Sequence, residues 1–433
     1  MPRLKDKRDS GNEGRLRVAV VGGGVAGIVA AYLLQEKHDV TLLEKNDYLG
    51  GHTHTVTIPE GPDAGTPVDT GFIVLNDRTY PLFITFLERL DVPTRASEMS
   101  FSFYDVPSGF CYSGTGLNGL FAQRGNLFRP IFYRMLSGIM RFCREAREGI
   151  RDGTVPDVTL GEYLQRGDYP PETIQHYILP MAGAIWSTRP VEVDQFPVYA
   201  FLKFFDSHGL LSLRDRPQWM TVHGGSHAYV KAFRNRFSGE LVLKNEVSRI
   251  IRSQEGITVS SPGSEDRFFD RVIIAAHADE ALAMLDDPSP HESRLLGAWK
   301  YQDNRTVLHT DLTALPPLKR AWASWNYTRE AGAGDAAPVS VTYSMNRLQG
   351  LETQRHYCVS LNRRTPIAED SIIARMKYRH PTYTFRSMAT QLELPALNGR
   401  RNTWFCGSYF GYGFHEDAVR SAVEVGRRFG VEL

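Results

Sequence analysis

Cysteine is scarce here. Four residues, Cys111, Cys143, Cys358 and Cys406, are scattered through 433 with no CxxC pair, a pattern that excludes a disulfide framework or a zinc ribbon and suits a reducing cytoplasm. Excess charge of either sign is also missing, since 50 Lys and Arg stand against 49 Asp and Glu for a net of +1. So even a balance leaves no footprint for a phosphate backbone, and nucleic acid is not expected as a partner. No internal repeat and no Pro/Ser-rich linker divides the chain, so its length is expected to fold as two interleaved lobes. Residues 1–16 are polar and lack an apolar stretch, the composition of a disordered tail and not of a signal peptide. The uncharged run Val18 to Leu34 is marginal in length for a membrane span and has glycines in its middle, so it reads as a buried strand and helix.

Those glycines carry the strongest signal. Behind the apolar run Arg17 to Val21 stand Gly22, Gly24 and Gly27 in GxGxxG spacing, followed by Val25 and Ala26 of a helix start and by a second apolar run, Val40 to Leu43, ending on Glu44 and Lys45. This is the layout of a dinucleotide-binding βαβ unit: glycines allow a tight turn and close backbone approach, the helix N-terminus stabilises a pyrophosphate, and Glu44 accepts from ribose hydroxyls. Gly114, Gly116 and Gly119 share the spelling, but no clean strand precedes them and no strand ending in an acid follows about 20 residues later, so they read as a loop. Gly50 and Gly51 next let backbone pass close to a ligand, and His52, Thr53 and His54 begin an extended segment with polar donors. The alternation of His52 and His54 also suits a metal, yet no further cluster completes a site and none is expected.

Further along, Val68 to Asn76 is strand-like around a central glycine, and Tyr80 to Leu90 is helical. From Leu117 to Ile150 apolar residues recur at helical spacing with five arginines interspersed from Arg129 to Arg147, and Pro130 marks a helix start. Solvated arginines are the plain reading of this helix; a basic face touching anionic lipid, on the inner side of a membrane, is the sharper one. Residues 170–213 read as helical and rich in aromatics. Among them Trp186, Tyr199 and Phe204 suit either a packed core or the wall of a substrate pocket. A helix to Phe237 follows His223, and short strands are expected at 241–243, 247–251, 257–260, 271–276, 306–310, 321–327, 339–343 and 357–361. At the end, Thr403 to Cys406 forms a strand, Gly407, Gly411 and Gly413 follow, and acids at Glu416 and Asp417 open a terminal helix through Val425, favourable for its dipole.

With both ends carrying nucleotide-type anchors, the chain resembles the flavin-containing amine oxidase and carotenoid desaturase superfamily. Gly22, Gly24, Gly27, Glu44, Gly50 and Gly51 match its N-terminal motif. The resemblance implies an α/β fold: a Rossmann-like FAD-binding domain assembled from discontinuous segments (17–78, 220–290 and 396–433), with an α+β substrate-binding domain of mixed sheet and helices (79–219 and 291–395). It implies FAD as cofactor, with Val247 backbone near adenine and Gly407 through Ala418, including Ser408, Phe414 and His415, near the pyrophosphate and ring. His52 stands where many members have Arg, Ser408 where many have Asp, and the lysine placed near the flavin N5 in amine oxidases has Lys300 as its nearest counterpart. Gly399 to Thr403 and Gln218 to Tyr229 are similar to stretches of a bacterial polyunsaturated fatty acid isomerase, and Val68 to Asn76 and Gly411 to Asp417 resemble bacterial flavoproteins related to modified fatty-acid metabolism.

The chemistry expected from this resemblance is hydride removal from an apolar, unsaturated fatty-acyl substrate, as desaturation or double-bond isomerisation. Oxygen or a quinone would accept the electrons if oxidation is net. The flavin is the main catalytic group. Tyr409, Tyr412, Phe414 and His415 lie in the loop expected over the ring, as a substrate contact, a proton shuttle or plain packing, with His415 equally suited to capping backbone. A flavin amine oxidase releasing hydrogen peroxide and a non-catalytic flavin scaffold are the alternatives.

Overall fold

The computed structural model describes residues 14–433 except 213, 215, 333, 335 and 336; of the tail expected at 1–16, residues 1–13 lie outside the described residues, and Arg15 is held in place by Asp39 at 2.8 Å. A five-stranded, all-parallel sheet forms one layer, in the order Glu240–Val242, Asp39–Leu43, Arg17–Val21, Arg271–Ile274 and Thr403–Phe405. Its central strands are apolar almost throughout because helices cover them, as parallel sheets require. The helix Val25–Leu34 buries nine of its ten residues, and the terminal helix His415–Arg428 packs beside it. Strands from three distant stretches thus share one sheet. The chain crosses over to both sides of Arg17–Val21, which leaves a crevice at the carboxyl ends of the strands, where this class of sheet binds ligands.

A seven-stranded mixed sheet forms the second lobe, in the order Ile372–Thr382, Lys300–His309, Cys358–Leu361, Ser340–Ser344, Trp325–Arg329, Phe101–Asp105 and Cys111–Ser113. All its pairings are antiparallel except Trp325–Arg329 with Phe101–Asp105. Helices Pro130–Asp152, Leu179–Trp186 and Val198–Ser207 complete this lobe. An aromatic core joins them, with Phe201 stacked on Phe205 at 4.2 Å and Trp186 against Phe196 at 4.8 Å.

Several elements differ from the sequence reading for identifiable reasons. The segment 68–76 is two short strands, Pro67–Asp69 and Leu75–Asn76, because Gly71 crosses the Gly-Gly loop so closely that a Cβ there would sit 2.0 Å from the His52 carbonyl. Residues 117–150 split into the short helix Leu117–Leu120, a 3-10 turn at Arg124–Phe128 and the long helix from Pro130, since Arg129 is extended ahead of the proline. Helix Pro81–Arg89 was grouped with the substrate lobe but packs on the terminal helix of the parallel sheet. Glu416 accepts the Leu82 and Phe83 N–H groups at 3.1 and 2.9 Å, serving a neighbouring helix start rather than its own. No strand was expected at Ile372–Thr382; its sequence is charged and ends in Pro-Thr, and its burial comes from pairing with Lys300–His309.

Candidate functional site

A cavity of about 1040 Å³ runs from the carboxyl ends of the parallel strands to the aromatic lobe. At the first end the glycine loop is fixed by its own backbone: Gly22 N–H donates to Leu43 O at 2.8 Å, and Gly50 N–H to Gly23 O at 2.8 Å. Gly22 has φ +105°, and a Cβ on Gly27 would lie 1.8 Å from the Gly22 carbonyl, so both glycines are required by packing. Gly24 differs from both. A Cβ there meets nothing within 4 Å, and the residue lines the cavity with Val25 and Ala26, a cradle shaped for a group that approaches the backbone closely. Glu44 lies beside it, buried, with its carboxylate accepting Gly23 N–H at 2.7 Å and Asn46 N–H at 2.8 Å. Lys45 pairs with Glu280 at 3.0 Å on the same rim, and Val247 lines the wall.

Beyond Gly50 and Gly51 the wall turns to imidazoles. His52 donates from Nε2 to the Arg379 carbonyl at 3.1 Å, and its ring lies 5.4 Å from His380 and 5.8 Å from His277. Burial pushes all three pKa values down, His380 to about 4, and the neighbouring rings lower His52 further. Three neutral imidazoles therefore face the cavity, each offering hydrogen bonds without a fixed charge. Arg379 anchors this strand to Asp279 at 2.5 Å and Glu280 at 3.3 Å. Neither His277 nor His380 was read from the sequence. His277 had a usable signal, since it follows a central parallel strand at its carboxyl end; His380 had none, because its strand was not legible.

The C-terminal loop closes the middle of the cavity. Gly407, Ser408, Tyr409, Tyr412, Phe414 and His415 all line it. Asp417 holds the loop by accepting the Tyr412 and Phe414 N–H groups at 2.9 and 3.1 Å and pairing with Arg420 at 2.8 Å. Against the shuttle reading, burial drives the His415 imidazole down to about 3, and its Nε2 shares a 2.9 Å hydrogen bond with Thr53 while the ring stacks on Phe72 at 3.6 Å. The ring is neutral at physiological pH and acts as a packed hydrogen-bonding strut. Thr53 is fully buried, bonded also to Tyr229 OH at 2.6 Å, and fastens the loop from behind the cavity wall instead of lining it. Gly27 likewise acts from within the turn.

At the far end the wall is apolar and aromatic: Met99, Phe101, Tyr177, Met181, Trp186 and Phe204 line it, with Arg216 from the loop that follows helix Val198–Ser207. Trp186 Nε1 donates to the Tyr412 carbonyl at 3.3 Å, and Phe204 stacks on Phe414 at 4.9 Å, joining the two lobes. Tyr199, expected here, is 53% exposed on the outer side of its helix and is not part of the wall. Lys300 is exposed and away from the cavity; the lysines that line it are Lys45 and Lys377, the second paired with Asp303 at 2.8 Å.

The donor set fits FAD. The open position at Gly24, the acid at Glu44, the N-terminus of the helix from Val25, and the buried, unpartnered Tyr383 and Tyr409 hydroxyls among the described residues suit a pyrophosphate, a ribose and a polar ring system in turn. Comparison with known proteins agrees. Residues 25–309 match the flavin containing amine oxidoreductase family. A protein of Mycobacterium tuberculosis assigned as the flavin-containing monoamine oxidase AofH is 27% identical over 343 residues, 76% of this chain and 70% of that protein. Among solved structures, the CLA-producing fatty acid isomerase from P. acnes superposes with a TM-score of 0.68 at 15% identity, covering 96% of this chain and 98% of that one. Putrescine oxidase does so with 0.69 at 15%, covering 96% and 99%. These two share the fold. Because the family match extends over about two-thirds of its length, the chain belongs to the flavin containing amine oxidoreductase family, as an FAD-dependent oxidoreductase.

Proposed function

We propose that this enzyme removes hydride from an apolar, unsaturated acyl chain held in the aromatic end of the cavity. One observation carries the reading: among the described residues, the acids lining the cavity, Glu44, Glu246 and Glu280, all belong to the nucleotide end, and the aromatic end has neither an acid to receive an ammonium nor a lysine. Bound FAD supplies a hydride acceptor. The chain's own residues do the rest. Trp186, Phe204, Phe101 and Met181 exclude water and align a methylene run, while Tyr412, half-buried in a loop pinned by Asp417, borders the place where the two ends meet. Desaturation takes a hydride from one carbon and a proton from its neighbour, with oxygen or a quinone reoxidising the cofactor; isomerisation returns the hydride elsewhere on the same chain.

Family membership and the AofH likeness favour a second reading, amine oxidation with release of hydrogen peroxide. Anaerobic mixing separates the two. Bleaching of the flavin by unsaturated fatty acids or phospholipids, with none by polyamines or aromatic amines, is expected. Hydrogen peroxide from amines under air, with no spectral change or product from any acyl substrate, overturns the acyl reading. A flavin that neither class addresses marks a scaffold.

A further inference from the structure

Large apolar side chains left in water cluster in one place. Of the thirteen exposed among the described residues, six, Leu117, Leu127, Phe128, Ile131, Tyr133 and Met140, fall within residues 117–140, and Phe128 is 86% exposed. Isolated exposed apolar residues are ordinary, but a concentration of this kind marks a surface that meets something. The same stretch is one-sided in charge. Residues 106–144 contain five arginines, at 124, 129, 134, 141 and 144, and no acid, in a chain whose net charge is only +1. Arg134 is tied to Glu172, Arg141 to the Gly167 and Asp168 carbonyls, and Arg141 and Arg144 both pair with Glu145 at 3.9 and 3.7 Å, whereas Arg124 and Arg129 bond to neutral groups of their own turn.

The helix Pro130–Asp152 presents these groups in register. Tyr133, Ser137, Met140 and Arg144 recur at three- and four-residue spacing on the outward stripe, while Phe132, Met135, Gly138 and Phe142 are buried on the inward one. Its inner face also rests on the substrate wall. Phe132 meets Tyr112, a cavity residue, at 6.3 Å, and Gly138 packs against Thr173, at the start of the segment that carries Tyr177 and Met181 into the wall.

We infer that residues 117–144 dock onto an anionic phospholipid bilayer, with Phe128, Tyr133 and Met140 entering the headgroup–acyl boundary and Arg124 and Arg129 resting on lipid phosphates. Charge decides between a bilayer and a protein partner. A second copy would bring its own five arginines to the same face, and an apolar helix stripe flanked by arginine snorkels readily into an anionic interface. Docking places the aromatic end of the cavity one helix thickness, about 10 Å, from the membrane. The inference deepens the acyl reading by naming the source of the chain, but attachment itself does not depend on turnover.

Sedimentation of the FAD-loaded protein with diphytanoyl lipid vesicles tests it, because those chains carry no double bond and cannot be turned over. Binding to vesicles half of phosphatidylglycerol is expected to exceed binding to pure phosphatidylcholine by about tenfold or more. Phe128→Glu with Met140→Glu is expected to weaken it by about tenfold, and Arg124→Glu with Arg129→Glu to abolish the preference for the anionic lipid, with flavin content and Tm unchanged in both. As a second readout, tryptophan fluorescence of Phe128→Trp is expected to be quenched by lipids brominated along their chains. Equal sedimentation with both vesicle types, wild-type behaviour of the Glu pair, or a dimer in light scattering that Phe128→Glu dissolves would each overturn the inference. Vesicle binding without acyl oxidation would sink only the acyl reading.

Discussion

The two ends of one cavity are built by opposite means. At the nucleotide end, backbone does the recognising: glycines at 22, 24, 27, 50 and 51 bring main chain together, and charged or neutral polar groups such as Glu44, His52 and His277 fill in. At the aromatic end, side chains do everything and polar backbone is hidden in helices and sheet. A site made of backbone tolerates almost no added atom, whereas one made of interlocking rings tolerates exchange of a ring for a similar ring. The largest expected difference therefore lies within the glycines themselves. Gly27→Ala pushes a methyl to 1.8 Å from the Gly22 carbonyl and is expected to cost more than about 3 kcal/mol, read as loss of soluble folded protein. Gly24→Ala meets nothing within 4 Å and is expected to leave the Tm of the FAD-free protein within about 2 °C of wild type. The same methyl enters the cradle and is expected to weaken FAD about a hundredfold, or about 2.8 kcal/mol, by fluorescence titration. Unchanged FAD affinity in Gly24→Ala would break the contrast.

Acid–base behaviour sharpens it next. The nucleotide side holds buried carboxyls that its hydrogen bonds keep in place: Glu416 is pushed up from 4.5 to about 7 by burial against two helix N–H donors, and Asp69 from 3.8 to about 6 beneath Thr55 and Ser226. A carboxyl whose folded pKa is raised binds its proton more tightly in the folded state. Its contribution is complete below the unfolded value and is lost as pH rises to the folded one. Glu416→Gln carries no proton to lose, so its Tm relative to wild type is expected to rise between pH 4.5 and 7, by the equivalent of about 3 kcal/mol, and to be flat above. Thermal melts of the pair across that range measure it; a constant difference would show that Glu416 titrates as an exposed acid.

The same division explains what was legible in the sequence. The parallel sheet, the glycine loop, Glu44 and the C-terminal anchor were readable because backbone geometry forces particular residue types at fixed spacing, and largely apolar runs at 18–21, 40–43 and 272–274 signal strands covered on both faces. The neutral imidazole wall was only half readable, His52 by its place after the Gly-Gly and His380 not at all, since Ile372–Thr382 borrows its burial from a neighbour. Trp186, Phe204 and Tyr199 looked alike as residue types. Two line the cavity and one faces out, a difference fixed by the angular position of each on its helix within a packing that one sequence does not specify.

The smallest expected effect falls at the seam. Trp186 lies among Phe196, Phe201 and Phe204, with centroids at 4.8, 5.8 and 4.7 Å, and its indole N–H donates the 3.3 Å hydrogen bond to the Tyr412 carbonyl. Trp186→Phe keeps a ring in that nest and deletes the donor, so it is expected to lower stability by about 1 kcal/mol and leave FAD affinity unchanged. The lost bond frees the Tyr412 loop beside the place where substrate would lie, so KM for an acyl substrate is expected to rise by about threefold to tenfold with kcat less affected. Were the flavin lost along with the indole, the two ends of the cavity would have to be mechanically one unit, and the separation between a backbone-built and a ring-built half would fail at the residue that joins them.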